Sequence, residues 1–359
     1  MATIIIAYGK AGSTIETEFL RNVGYDIAYV DRLDDLDDPR LADAVAVMVT
    51  LQPVTAETLD HMPRCRVVGR VGTGIDTIDL DAASQRGIYV TNVADYSIDE
   101  VSTHAVALLL AHVRRLPQYL ALVEDGAWDS VGAGPIRRLA GLTLGVLGFG
   151  RIGQATTRKA IGLGMKAVVH DVYQSPESIR AVGAEPVGWV DLLRVSDYVS
   201  LHVPLNEQTK HIVNVDSLSA MKPGAVIINT ARGGLIDEYA LADAVRSGAV
   251  GGALLDVLSQ EPPPADHPLL RTDHVWITPH TAWYSLEAQK DVAIRAAEDV
   301  HRVLTGQLPR SPVNLPVPRA AGEATKETAL LPHRSSTSPI SMRLSPVAAL
   351  DLDGPSVCG

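Results

Sequence analysis

The apolar run Leu142-Thr143-Leu144-Gly145-Val146-Leu147 ends directly in Gly148-Phe149-Gly150-Arg151-Ile152-Gly153. Asp171 follows 18 residues after the last glycine and closes the next apolar run, Lys166 to His170. This spacing predicts a strand, a tight glycine turn and a helix, with an acid at the end of the neighbouring strand. Each part has a job in holding a dinucleotide. Gly148 permits the turn, Gly150 lets a pyrophosphate approach the backbone, and Gly153 lets the helix pack close to the sheet. The helix aims its positive end at the phosphates. Arg151 and Ile152, inside the turn, are cofactor-facing by the same reading. A carboxylate at Asp171 can accept ribose hydroxyls of NAD and repels the extra phosphate of NADP. A lone glycine pattern is weak evidence; strand, helix and acid at the right distance are the context that confirms it.

The rest of the chain agrees with an α/β fold. It has 359 residues, enough for two domains, with 46% hydrophobic and 20% charged residues. A net charge of -11 without a basic patch disfavours nucleic acid as a direct partner, but leaves room for a small anionic ligand held by local arginines. The two cysteines, Cys65 and Cys358, lie in unlike contexts, and the expectation is a reducing cytoplasm. No signal peptide or membrane span is expected, and no His, Cys or carboxylate spacing suggests a metal.

Short strands alternate with helical patterns from the start: Thr3 to Tyr8, Ala44 to Val49, Arg66 to Val71 and Ile88 to Asn92 read as strands, with a helix over Ser13 to Asn22. A long apolar helix is expected over Asp99 to Arg114. About six more strands follow, at Leu142 to Leu147, Ala167 to His170, Tyr198 to Leu201, Ala225 to Asn229, Gly252 to Leu255 and Val275 to Thr278. Ser285 to Leu304 reads as a helix that returns to the first part. The acidic run Asp34-Asp35 with Asp37-Asp38 reads as a solvated turn. From 317 the composition turns to Pro, Ser, Thr and Ala, and a disordered tail over 317–359 is expected.

Ligands of open α/β sheets bind beyond the carboxyl ends of the strands. Arg232 follows one central strand, Asp256 and Glu261 the next, and His280 the last. These residues suit hydride transfer at a 2-hydroxy acid. Arg232 can hold the carboxylate and polarise the keto oxygen. His280 can exchange the hydroxyl proton, and Glu261 would favour its imidazolium form. Taken singly, each has a bland alternative: a surface arginine in a glycine turn, a solvated glutamate before prolines, a satisfied core histidine. Their shared rim speaks against three coincidences.

With Val71-Gly72-Thr73-Gly74-Ile75-Asp76, Leu147 to Gln154, Asn229 to Asp237, Leu255-Asp256 through Glu261-Pro262, and Thr278 to Tyr284, the chain resembles the D-isomer-specific 2-hydroxyacid dehydrogenases. It is similar to their phosphoglycerate dehydrogenase branch and, at one site, to the C-terminal-binding protein corepressors. The resemblance implies two Rossmann-like, doubly wound domains with the nucleotide domain inserted into the substrate domain. Residues 1–97 would form the first part of the substrate domain, 98–284 the NAD domain, and 285–316 the returning helix. It further implies Arg232, Glu261 and His280 as catalytic residues. Thr73, Val203, Pro204, Thr209, Thr230 and Asp256 become cofactor contacts, alongside His280. Substrate contacts would be Arg70, amides around Gly72, Thr73, Arg232 and Trp283. A homodimer is expected by the same route.

Trp283, three residues after His280, matches the corepressors and would narrow the pocket with an apolar wall; packing of an interdomain hinge is the alternative. Thr50-Leu51-Gln52 stands where phosphoglycerate dehydrogenases carry basic residues, so a substrate phosphate is not expected there. An NAD(H)-responsive corepressor-like binding protein and a reductase of a phosphono or aromatic 2-oxo acid are the competing readings. His104 is expected to be a satisfied core or interface residue.

Overall fold

The computed structural model describes residues 2–9, 14–33 and 35–318. Ser13, Asp34, Cys358 and all of the expected tail from 319 onward lie outside the described residues.

Two parallel sheets are present. The first has strands β1 (Thr3–Ile6), β2 (Asp26–Tyr29), β3 (Ala44–Val49), β4 (Val67–Arg70) and β5 (Tyr89–Thr91), in the order β2-β1-β3-β4-β5. The second has β6 (Thr143–Leu147), β7 (Lys166–His170), β8 (Glu185–Pro186), β9 (Tyr198–Leu201), β10 (Val226–Asn229), β11 (Gly252–Leu255) and β12 (Val275–Ile277). Its order is β12-β11-β10-β9-β6-β7-β8, the doubly wound dinucleotide order with one further strand. The order reverses between β6 and β9, which puts the glycine turn after β6 at the switch point.

Both sheets are covered on both faces, as parallel sheets require. Alternation along each strand divides the apolar side chains between two cores. In β1, Ile5 faces one core while Ile4 and Ile6 face the other. In β10, Ile227 goes one way and Val226 and Ile228 the other.

The helix Leu286–Leu304 buries Val292, Ala296, Ala297 and Val300 against Ile4, Ile6, Met48 and Val67 of the first sheet. Its start is capped by Ser285, whose side chain accepts from the Ala288 N–H. Contact is close enough that a Cβ at Gly69 of β4 would lie 2.6 Å from Val300 Cγ2. Beyond this helix, Asn314 accepts from the Val90 N–H and donates to the Ile88 carbonyl, tying residues 312–317 to the edge of β5. The helix Ile98–Val113 instead packs Ala105, Leu109 and Val113 with β6 side chains in the second core.

Two strands were not legible in advance. β2 is an edge strand of the first sheet with no fully buried residue, and β8 is a two-residue strand at an edge of the second. Neither needs an apolar run. Among the described residues no single helix is long and apolar enough to cross a membrane. The pair Ile98–Val113 and Leu116–Glu124 passes only jointly, across a 56° bend. Among the described residues no three His, Cys, Asp or Glu gather as a metal site.

Candidate active site

The carboxyl ends of both sheets face a cleft of about 1170 Å³. Arg70, Thr73, Ile152, Val203, Pro204, Thr230, Arg232, Asp256, Glu261, His280 and Trp283 all line it. Gly72, Gly148, Gly150, Arg151, Gly153, Asp171 and Thr209 are not part of its wall.

His280 stands in the turn after β12 with φ +52°, a left-handed conformation that is uncommon for a non-glycine residue. Asp256, buried at the end of β11, holds that turn. Its Oδ1 accepts from the Thr281 N–H at 3.0 Å and from the Thr278 hydroxyl, and its Oδ2 accepts from the Ala282 N–H at 2.8 Å. His104 Nε2 approaches Thr278 Oγ1 at 3.0 Å and backs the same turn from the helix Ile98–Val113. So held, His280 places Nδ1 2.6 Å from Glu261 Oε2, while Glu261 Oε1 accepts from the Leu258 N–H at 3.0 Å. Burial alone would push the Glu261 carboxyl up. The His280 hydrogen bond and charge, the Leu258 amide and nearby Arg232 outweigh it and hold Glu261 below the usual carboxylate range.

Arg232 leaves β10 after Ala231 and crosses the cleft. Its Nε donates to Asp76 Oδ1 at 3.0 Å, and an Nη donates to the Ala231 carbonyl at 2.7 Å. A Cβ at Gly74 would fall on the guanidinium, so glycine at 74 is what admits Arg232 to this position. Arg70, at the end of β4, is 7% exposed; its Nε has no partner, and its Nη1 donates to the Val71 carbonyl. Burial, with a smaller contribution from Arg232, pushes Arg70 down to about 10 against the pull of Tyr96 and Asp76. The Gly72 N–H, expected to face a substrate carboxylate, donates instead to the Arg70 carbonyl at 3.0 Å. Trp283 lines the cleft and packs on Tyr96, with ring centroids 6.2 Å apart.

The glycine turn has the geometry a dinucleotide needs. Gly148 has φ +92°, and a Cβ there would lie 2.7 Å from the His202 backbone. A Cβ at Gly153 would lie 2.0 Å from the Gly148 carbonyl oxygen, so the helix touches the turn. A Cβ at Gly150 would meet nothing within 4 Å: the space above it is open. The helix Arg151–Gly162 starts without a side-chain cap, leaving its first N–H groups for an anion. The buried Thr230 hydroxyl, in the cleft wall, has no partner within the protein. These residues fit a bound dinucleotide.

Residues 106–282 match the family model described as the NAD binding domain of D-isomer specific 2-hydroxyacid dehydrogenases. A glyoxylate reductase of Thermococcus litoralis is 38% identical over 285 residues, covering 78% of this chain and 86% of that protein. The chain belongs to the D-isomer-specific 2-hydroxyacid dehydrogenases. A D-3-phosphoglycerate dehydrogenase of Methanocaldococcus jannaschii is 40% identical over 264 residues, 73% of this chain. This chain spans about half the length of the phosphoglycerate dehydrogenases it matches. Among solved structures, a D-lactate dehydrogenase from Aquifex aeolicus complexed with NAD and lactic acid superposes with a TM-score of 0.81 at 30% identity. That match covers 88% of this chain and 100% of the other.

Within this family frame three residues depart from expectation. Asp171 is already engaged: Oδ2 accepts from the Phe149 N–H at 2.5 Å, and Oδ1 from the Tyr173 and Gln174 amides at 2.7 and 2.9 Å. A carboxylate has about four acceptor sites, so room remains for about one ribose hydroxyl rather than two. Thr209 turns its hydroxyl inward to the Pro204 carbonyl at 2.6 Å and closes the 204–209 turn. Asp256 spends its carboxylate on the His280 turn.

Asp76 and Tyr96 were missed by sequence reasoning. Asp76 lay inside a quoted motif, but its contact with Arg232 spans 156 positions and leaves no periodic signal.

Proposed function

We propose that this protein is an NAD-dependent oxidoreductase that moves a hydride between the nicotinamide and C2 of a small 2-hydroxy or 2-oxo acid of the D series. The observation that carries this reading is the 2.6 Å contact between His280 Nδ1 and Glu261 Oε2 on the wall of a cleft that also holds Arg232. Bound NADH supplies the hydride. With Nδ1 committed to Glu261, His280 presents Nε2 to the substrate, and that nitrogen gives the proton that turns the former keto oxygen into a hydroxyl. In the reverse direction it takes the proton back. Arg232 binds the substrate carboxylate and polarises the keto group with the remaining donors of its fork. Arg70 and Trp283 form the side of the pocket that meets the substrate's C3 substituent.

Thr73, Val203, Pro204 and Thr230 would flank the nicotinamide half of NAD, while Gly148, Gly150, Arg151, Ile152 and Gly153 would take the pyrophosphate. Asp171 would select NAD over NADP. Residues 1–97 with 285–316 would act as the substrate domain and 98–284 as the nucleotide domain, in a cytoplasmic homodimer. Exposed Leu120, Val123, Trp128 and Val131, on and after the helix Leu116–Glu124, support self-association. The Thr50-Leu51-Gln52 loop supports a substrate without a distal phosphate: Gln52 accepts from both Thr50 groups, and no basic side chain stands there.

The test is NADH oxidation at 340 nm (the NADH absorbance band) with glyoxylate, pyruvate, hydroxypyruvate, phenylpyruvate, 3-phosphohydroxypyruvate and phosphonopyruvate, with NADPH in parallel. Turnover of one acid with NADH is the expected result. Tight NADH binding without turnover of any would sink the enzymatic reading.

A further inference from the structure

The two residues of the His280–Glu261 pair are carried by separate segments. The His280 turn is fixed by Asp256. The segment that carries Glu261 has its own buried anchor, on which nothing in the proposed chemistry draws.

Glu238 is the first residue of the helix Glu238–Arg246, which begins just after the turn that carries Arg232. It is 8% exposed. Its Oε1 accepts from the Ser259 N–H at 2.7 Å, and its Oε2 lies 3.0 Å from Nε2 of His267, itself 7% exposed. One carboxylate therefore grips the Glu261 segment on both sides, two residues before Glu261 and six after it. Close packing adds to the grip. A Cβ at Gly233 would lie 1.9 Å from the Leu258 carbonyl carbon, so the residue next to Arg232 rests on the backbone next to Ser259. The Leu258 N–H, in that same stretch, donates to Glu261 Oε1. His267 Nδ1 is buried without a partner, so its Nε2 contact with Glu238 is the polar tie that orients the ring.

We infer that Glu238, with His267, is a positioning residue: a second carboxylate–imidazole pair behind the first, which sets Glu261 against His280 and couples that register to Arg232. Burying a carboxylate costs several kcal/mol unless its lone pairs are satisfied, so the two bonds specify one arrangement of the segment rather than a family of them. This inference rests on the proposed roles of Glu261 and His280, but the hydrogen bond between them can be read without any substrate.

The experiment compares the full-length protein with Glu238→Ala, Glu238→Gln and His267→Gln. In each, proton NMR reads the far-downfield resonance of the His280 Nδ1–H to Glu261 hydrogen bond, assigned by its loss in Glu261→Gln. Steady-state kinetics are measured with whichever acid the panel identifies, and NADH affinity by fluorescence titration. Glu238→Ala should broaden or lose the resonance and lower kcat at least tenfold, with NADH affinity within threefold of wild type. Glu238→Gln, which can still accept from Ser259, should recover most of kcat and the resonance. His267→Gln should show an intermediate loss, and it decides the matter if Glu238→Ala does not fold. An unchanged resonance and kcat in folded Glu238→Ala, or in His267→Gln when that is the folded variant, overturns the inference. Absence of turnover in the wild type, with the resonance still sensitive to Glu238, would count against the enzymatic reading and leave the positioning role standing.

Discussion

Arg232 Nε donates to Asp76 Oδ1 at 3.0 Å, joining the turn after β10 to the loop after β4 across the cleft. The guanidinium that would receive a substrate carboxylate is thus already oriented by a carboxylate of the protein. Asp76 and the Ala231 carbonyl fix the fork, and its remaining donors can turn into the cleft. Both side chains are about a quarter to a third exposed, so the pair matters for orientation more than for fold stability.

Asp76→Ala should therefore raise KM for the 2-oxo acid by about tenfold, equivalent to about 1.4 kcal/mol, and leave NADH affinity and thermal stability nearly unchanged. Steady-state kinetics with differential scanning fluorimetry checks it. An unchanged KM would show that Arg232 needs no such support.

Loss of the imidazole should separate binding from chemistry. His280→Ala is expected to lower kcat by about 10²–10⁴-fold with NADH affinity preserved, because proton transfer is lost while the glycine turn is untouched. Single-turnover kinetics and fluorescence titration measure the two effects. Full activity would remove His280 from the mechanism.

The three motif glycines should respond differently to alanine. Gly150→Ala has open space above it, so its Tm should stay within a few degrees while NADH affinity falls more than tenfold. Gly153→Ala must push the helix off the Gly148 carbonyl and Gly148→Ala meets the His202 backbone at φ +92°. Each is expected to cost on the order of 2–4 kcal/mol of stability. Equal Tm losses at all three positions would contradict this.

Stability should fall on mild acidification. Burial pushes His112 and His202 down to about 4, and it also lowers His301. A histidine held neutral in the folded state binds its proton more readily when unfolded. The stability it contributes is present above about pH 6.5, the unfolded value, and is lost as pH falls toward 4. Each of the first two accounts for on the order of 1–3 kcal/mol. Urea midpoints measured from pH 8 to pH 4.5 should decline throughout the lower half of that range; a flat profile would mean the rings ionise at no cost.

Leu120, Val123 and Trp128 are 65%, 54% and 93% exposed on one stretch of chain. In the proposed homodimer, Leu120→Asp should shift the protein toward monomer in sedimentation velocity. A wild type that is already monomeric would refute the homodimer.

Where one residue's neighbours are near in sequence, the site was readable in advance. The glycine turn needs only strand, turn and helix in succession, and its three glycines stand in the three steric situations that their spacing implied. The order of motifs at strand ends placed Arg232, Glu261 and His280 on one rim for the same reason: in a parallel sheet, every strand delivers its carboxyl end to the same side. The edge strands β2 and β8 escaped notice because they bury no continuous apolar run.

The sequence by itself determined the α/β alternation, the dinucleotide turn and the common rim of Arg232, Glu261 and His280, because these follow from local pattern and from the direction of parallel strands. Only the tertiary structure decided what holds those side chains. Asp76 against Arg232, Asp256 under the His280 turn and Glu238 against Ser259 and His267 join positions between 21 and 156 residues apart. Hydrogen bonds of that kind depend on how loops are brought together by packing, and no periodicity of the chain encodes them. The same holds for the bond that Asp171 accepts from the Phe149 N–H, 22 positions away, whereas its bonds from the Tyr173 and Gln174 amides are local.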